Sequence, residues 1–124
     1  MYLFNNDGQL RDYRIYALHV QSQTANQNAR IFFRPSIANL TFAFPCVPID
    51  PTGPAPTGQV FTSAFGIPFA ASLWQMPAGP TGYDWPHDFP FCIVGAGGVL
   101  GINGDTSGAD MEMFIWFAPV PIED

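Results

Sequence analysis

Lysine is absent from this chain, and charged residues of all kinds make up only 11% of its 124 positions, against about 25% in an average soluble domain. Every cation is an arginine, and all four (Arg11, Arg14, Arg30 and Arg34) lie in the first 34 residues, beside Asp7 and Asp12. From Pro35 onward the chain carries eight carboxylate side chains and neither Lys nor Arg. Nucleic-acid binders need clustered Lys and Arg to displace counterions from phosphates. A chain with a net charge of −6 is therefore excluded from that class. Anionic membrane surfaces are disfavoured on the same ground, and a basic protein surface is the partner that suits the charge.

Long apolar runs are missing as well. The longest are cut by Pro, Gly or Asp well short of the ~20 residues of a membrane span. Thirteen Pro and twelve Gly interrupt the chain too often for long helices. Residues Met1 to Leu10 have neither a basic start nor an apolar centre, unlike a signal peptide, which makes a cytoplasm the expected place of synthesis. Cysteine occurs twice. In that setting Cys46 and Cys92 read as small buried hydrophobes, with one disulfide between them as the open alternative.

Apolar bulk is what the chain has instead: 48% hydrophobic residues, 15% aromatics and twelve Phe. Disorder requires low hydrophobicity and high charge, and a coiled coil requires abundant Glu, Lys and Leu. The length predicts one domain over residues 1–124, able to bury about two-thirds of its unfolded surface.

Asp12 to Gln21 (DYRIYALHVQ) is rich in β-formers. Regular alternation puts Ile15, Ala17 and His19 on one face and Tyr16, Leu18 and Val20 on the other, a strand covered on two sides. A polar turn over Gln21 to Asn28 and a second strand over Ala29 to Arg34 predict a hairpin. Leu40 to Phe44 alternates, with Leu40, Phe42 and Phe44 sharing a face. Pro45, Pro48, Pro51, Pro54 and Pro56 then predict an ordered, extended surface segment, stiff enough to lie on a partner at little entropic cost.

Gln59 to Phe69 supplies one or two short strands, and Ala70 to Gln75 a weak helical turn. Met76 to Asp88 (MPAGPTGYDWPHD) reads as an irregular loop of a functional or interfacial kind. Phe89 to Val94 is an expected edge strand because of Pro90, followed by a turn at Gly95 to Gly98 and a strand over Val99 to Asn103 that pairs back. After a turn at Gly104 to Ala109 comes the strongest strand, Asp110 to Ala118. Met111, Met113, Ile115 and Phe117 line one of its faces; Asp110, Glu112, Phe114 and Trp116 line the other, which should be partly covered. Seven or eight short strands with turn signals between them predict an all-β fold, an antiparallel sandwich or jelly roll with long Pro/Gly-rich loops. No repeat of 20–50 residues is visible, which argues against a propeller or solenoid.

Each motif that looks chemical has a plainer reading. Gly95 to Gly101 (GAGGVLG) lacks the following helix and distant acidic residue of a dinucleotide site, and no Lys is present for a P-loop; it reads as a β-turn. Asp84, His87 and Asp88 have the chemistry of divalent-metal ligands, but Pro86 limits their convergence, and they read as polar residues of an interfacial loop. Asp105 and Asp110, with Asn103, lack the spacing and closing Glu of a calcium loop. There is no Gly-x-Ser-x-Gly elbow, and His19 falls in mid-strand. The expectation is a non-enzyme with no catalytic residue, cofactor or metal. Trp and Tyr concentrate at interface centres because they bury large areas with few rotors. Trp74, Met76, Tyr83, Trp85 and His87, with Phe114 and Trp116 of the last strand, are accordingly the candidate partner or oligomer interface.

The early strand DYRIYALHV, the middle Pro and Gly loops, and the closing stretch FPFCIVGAGGVLGINGDTSGADMEMFIWFAPV together resemble small β-sandwich virion proteins of tailed bacteriophages, the decoration or cement proteins of capsids. The resemblance covers most of the chain. It implies a non-enzymatic protein on the capsid surface, bound non-covalently to the major capsid protein or another virion protein. It also implies self-association as a homo-oligomer, typically a trimer. The lack of Lys departs from that family and leaves salt-dependent docking to the four Arg. A tail, collar or fibre component is the alternative, told apart by a low copy number. A carbohydrate- or ligand-binding sandwich is a second, with Trp74, Trp85 and the nearby Asp residues as a sugar platform.

Overall fold

The computed structural model describes residues 1–8, 10–22, 27–34, 36–53, 57–64, 74–79, 83–86, 92–104 and 111–122, by backbone alone for 27, 63–64, 74–78, 83–86 and 111. These residues form ten strands and no helix: β1 (Tyr2–Phe4), β2 (Arg11–Ser22), β3 (Gln27–Arg34), β4 (Leu40–Pro45), β5 (Gln59–Ala64), β6 (Trp74–Ala78), β7 (Tyr83–Pro86), β8 (Cys92–Val94), β9 (Val99–Gly104) and β10 (Met111–Pro121). Six strands make one sheet in the order β4-β5-β1-β9-β3-β6, and four make the other, β10-β2-β7 with β8 also on β2. Every pairing is antiparallel. The protein is an all-β sandwich.

The core lies between the sheets. Leu3, Ala29, Ile31, Leu100 and Ile102 enter it from the six-stranded sheet, and Tyr13, Ile15, Leu18, Val20 and Val94 from the other. Burial of each large side chain stabilises the fold by about 1.5–3 kcal/mol. Met113, Ile115 and Phe117 of β10 pack against this cluster while Phe114 and Trp116 stay exposed, the two-residue alternation expected of that strand. Tyr13 stacks on Phe117 with ring centroids 4.6 Å apart.

The alternation of β2 changes phase midway. Tyr13 and Ile15 are buried, and then Leu18, Val20 and Ser22. Across the ladder Trp116 stands opposite Ala17 and Phe117 opposite Ile15, which leaves Tyr16 as one extra residue, a β-bulge. The expected grouping of Ile15 with Ala17 and His19 is thereby corrected: the strand looks apolar on both faces because its two halves bury opposite parities.

The six-stranded sheet carries a second buried cluster on its other face: Tyr2, Phe32, Leu40, Phe61 and Val99, with Phe4 packed against it. Gly101 sits between Tyr2 and Phe32 in the ladder. Having no side chain, it lets the two rings meet edge-to-face over it, centroids 6.0 Å apart at 72°. A Cβ there would lie 2.6 Å from two Phe32 ring atoms. The rim of this cluster is polar, with Asn103 Nδ2 donating to the Tyr2 hydroxyl at 2.9 Å and the Arg34 guanidinium 5.8 Å from the Tyr2 ring centroid.

Other expectations need correcting. β2 and β3 are not a hairpin, since they belong to opposite sheets. Likewise β9 does not pair back on β8: it lies between β1 and β3, while β8 pairs with β2. Short connections in a sandwich can change sheets as easily as turn within one, and local sequence does not distinguish the two. The irregular loop expected over Met76 to Asp88 instead contains the end of β6 and all of β7. Both are end strands of their sheets, where Pro77 and Pro86 are tolerated because a missing N–H need not face a neighbour. Trp74 and Gln75 are strand residues, so the helical turn is not formed there, and residues 70–73 lie outside the described residues. β1 was not anticipated. The strand at Leu40 and the edge strand ending at Val94 are present as expected.

A polar knot at residues 5–7 joins the pieces. The side chain of Asn5, fully buried, donates to the carbonyls of Arg11 and Val94, both at 2.8 Å. Its Oδ1 accepts the Asp7 N–H at 3.1 Å, and its backbone exchanges bonds with Gly97 and Gly98. The glycine run is thus a turn docked on Asn5, with Gly97 at φ +81°. Asp7 is buried too. It accepts from Arg11 Nε at 2.8 Å and from Thr57 Oγ1 at 2.6 Å, Arg11 Nη2 lies 2.7 Å away, and the Tyr13 hydroxyl is 2.7 Å from Thr57 Oγ1. With the Thr57 proton given to Asp7, Tyr13 donates, completing a Tyr–Thr–Asp chain. Asn6 Oδ1 accepts the Gly58 N–H at 2.6 Å.

Two substitutions test these features by urea denaturation. Asn5→Ala leaves two carbonyls without their donor and should lower stability by about 2–4 kcal/mol; a loss under about 0.5 kcal/mol would show the knot to be dispensable. Gly101→Ala should cost about 1–3 kcal/mol through displacement of Phe32, whereas an unchanged midpoint would mean the ring moves aside freely.

Candidate functional site

The residues expected at an interface separate into two groups. Trp74 and Met76 stand in β6, opposite Ile31 and Ala29 of β3. Tyr83 and Trp85 stand in β7, opposite Val20 and Leu18 of β2. All four ladder partners are buried core residues. Trp74 and Trp85 belong to different sheets. Asp84 is opposite His19, while His87 and Asp88 lie outside the described residues, as do Asp105 and Asp110. Among the described residues no group of three His, Cys, Asp or Glu is placed to hold a metal ion.

Phe114 and Trp116 form the second group. They lie on the outer face of β10, 50% and 39% exposed, with ring centroids 6.0 Å apart. The ring of His19, the ladder partner of Phe114 on the same outer face, lies 5.8 Å from it. The partial cover expected of this face comes from the Pro-containing segment after β4. Val47, Pro48 and Ile49 run beside β10 and enclose with Phe114 to Phe117 a groove of about 320 Å³. The Val47 and Ile49 side chains are themselves 81% and 80% exposed. Exposed apolar residues that gather around one groove, rather than scattering singly, mark a contact surface.

The segment is held in shape by local bonds. Asp50 Oδ1 accepts both the Thr52 N–H at 2.9 Å and the Thr52 hydroxyl at 2.7 Å, while Gly53 N–H closes the turn on the Asp50 carbonyl at 2.9 Å. Those bonds from Thr52 hold the Asp50 carboxyl below its ordinary pKa, so it is a fixed negative charge at neutral pH beside Ile49. Glu112, exposed on β10 two residues before Phe114, is a second acidic group on the outer face of that strand. The sequence places Phe114 and Trp116 on the less apolar face of this strand but does not single out Val47 and Ile49. Their signal was available: two β-branched apolar residues between prolines have no alternating partner with which to enter a core.

β4 carries further exposed apolar residues. After the buried Leu40 its residues are exposed, Phe42 by 71% and Phe44 by 54%. Phe42 has φ +60°, a left-handed conformation that a bulky side chain adopts only under constraint. Ala43 regains the ladder opposite Phe61.

Cys46 and Cys92 are free thiols, half-buried, and both pack against the core from its margin. Burial pushes both thiols up, Cys92 to about 12. Only the thiolate is nucleophilic, so neither cysteine has the character of a catalytic group. Iodoacetamide at pH 8 should modify the folded chain far more slowly than the urea-unfolded chain. Because the Cys92 pKa is higher folded than unfolded, its contribution to stability is complete below the ordinary thiol value of 9.0 and is lost as pH rises toward 12. The urea midpoint should therefore fall between pH 9 and pH 11, and Cys92→Ala should flatten that decline. In comparisons with known proteins, no family model, no curated protein and no solved structure matches this chain.

Proposed function

We propose that this chain is a non-enzymatic structural protein of a tailed-bacteriophage virion, decorating or cementing the capsid as a homo-oligomer. One observation carries the reading: Val47, Ile49, Phe114 and Trp116 are exposed around the groove between β10 and the Pro-containing segment, and Phe42 and Phe44 are exposed on β4, the strand that leads into that segment. A surface of this kind buries apolar area against a larger protein shell, and the shell, rather than a small ligand, supplies the complementary face. Asp50, next to Ile49, and Glu112, on the same face of β10 as Phe114 and Trp116, suit a basic patch on that shell and disfavour nucleic acid. The stiff Val47 to Gly53 segment loses little entropy when it docks. The capsid as the shell rests on the sequence resemblance.

Quantitative mass spectrometry of purified phage particles tests it. The expected result is hundreds of copies per particle, retained on isolated heads. A dozen copies or fewer, retained on tails, would replace this reading with a tail or fibre component, and absence from particles would overturn both. On heads, Val47→Asp with Ile49→Asp should weaken rebinding by at least about tenfold, the loss of two buried apolar contacts, with the far-UV circular dichroism unchanged.

A further inference from the structure

We propose that the free edge of β10 pairs with the same edge of a second copy of this chain, antiparallel and centred on Ile115. Two four-stranded sheets then become one continuous sheet across a two-fold axis. The inference stands independently of the capsid reading and rests on three properties of one strand.

The edge is open. β10 ends its sheet, and among the described residues it pairs with β2 alone. A long, apolar, unpaired edge is a template for another strand. Pro119 and Pro121 stand in this strand opposite Tyr13 and Arg11, and a proline is accommodated in an edge strand when its nitrogen faces away from the neighbour. Because that direction alternates along a strand, the N–H and C=O groups of Phe117, Ile115 and Met113 face the same open side. The prolines then end the available ladder.

The edge is also self-complementary. Rotation about Ile115 sets Met113 opposite Phe117, Phe114 opposite Trp116, and Ile115 opposite its own copy. Met113, Ile115 and Phe117 supply about six interstrand hydrogen bonds in that register. The Phe114–Trp116 pairs fall at the intervening, more closely spaced positions, where aromatic cross-strand contacts are favourable. Met113 and Phe117, half-buried in the single chain, cover one another, and the groove beside Val47, Pro48 and Ile49 receives the incoming side chains.

Charge fixes the register. The same rotation sets Glu112 opposite Ala118 of the other copy, and Ala118 is itself opposite Arg14 on β2. Glu112 is exposed, Arg14 is half-buried, and among the described residues the Arg14 Nε has no hydrogen-bond partner. Ala118 is small enough to leave the lane between them clear. Two such Glu112–Arg14 pairs, one on each side of the axis, bridge the seam. Centring the pairing on Phe114 or Trp116 would put Glu112 opposite Trp116 or Val120 and lose both.

Sedimentation velocity of the full chain over a hundredfold dilution tests the proposal. A dimer that dissociates on dilution is expected. Glu112→Arg and Arg14→Glu should each raise its dissociation constant at least about tenfold, since each opposes like charges, and the two together should restore it to within about threefold. If Arg14→Glu fails to give the native circular dichroism, Ala118→Glu replaces it, setting a carboxylate opposite Glu112 of the other copy with the same expected loss. A monomer throughout, a trimer, a dimer indifferent to Glu112→Arg, or a charge swap that does not restore association would each overturn the proposal.

Discussion

The buried hydrogen bonds of Asn5 and Asp7 are the constraint around which this sandwich is arranged. A fully buried amide and a buried carboxylate are unfavourable unless nearly every polar atom finds a partner. Here the partners come from the start of β2, the end of β8, the glycine turn before β9 and the approach to β5. Satisfying one short segment therefore registers strands of both sheets. β1, only three residues long, holds a central place in its sheet because the knot that follows it fixes where it must lie. The Arg11–Asp7 pair belongs to the same network, so Arg11 serves to neutralise a buried acid.

The bulge in β2 has a comparable reach. One extra residue at Tyr16 reverses which side chains face the core, so Tyr13 and Ile15 contribute from one half and Leu18 and Val20 from the other. β10 passes the bulge without changing phase and keeps Glu112, Phe114 and Trp116 on the outer side throughout. The outward aromatics thus remain in one row beside the Val47 to Ile49 segment. A sheet that buries apolar residues on both faces, as the six-stranded one does, leaves such a small chain little polar surface. The apolar excess appears at its margin, on β4 and β10.

Much of this architecture was legible. High β-propensity, frequent Pro and Gly, and scarce charge already exclude long helices and disorder, and clean alternation in MEMFIWF correctly separates Met113, Ile115 and Phe117 from Phe114 and Trp116. These are local properties, set by the two-residue period of a strand and by the missing N–H of proline. Tertiary structure decided the rest. The partner of each strand depends on which sheet its connection enters, so β2 with β3 and β8 with β9 read as hairpins and are not. The phase of β2 depends on a bulge that only the ladder with β10 reveals. The chemical weight of Asn5 and Asp7 depends on carbonyls and hydroxyls up to 89 residues away, and no pattern in the sequence brings those groups together. Side-chain periodicity is written residue by residue, whereas hydrogen-bond satisfaction is a property of the closed fold.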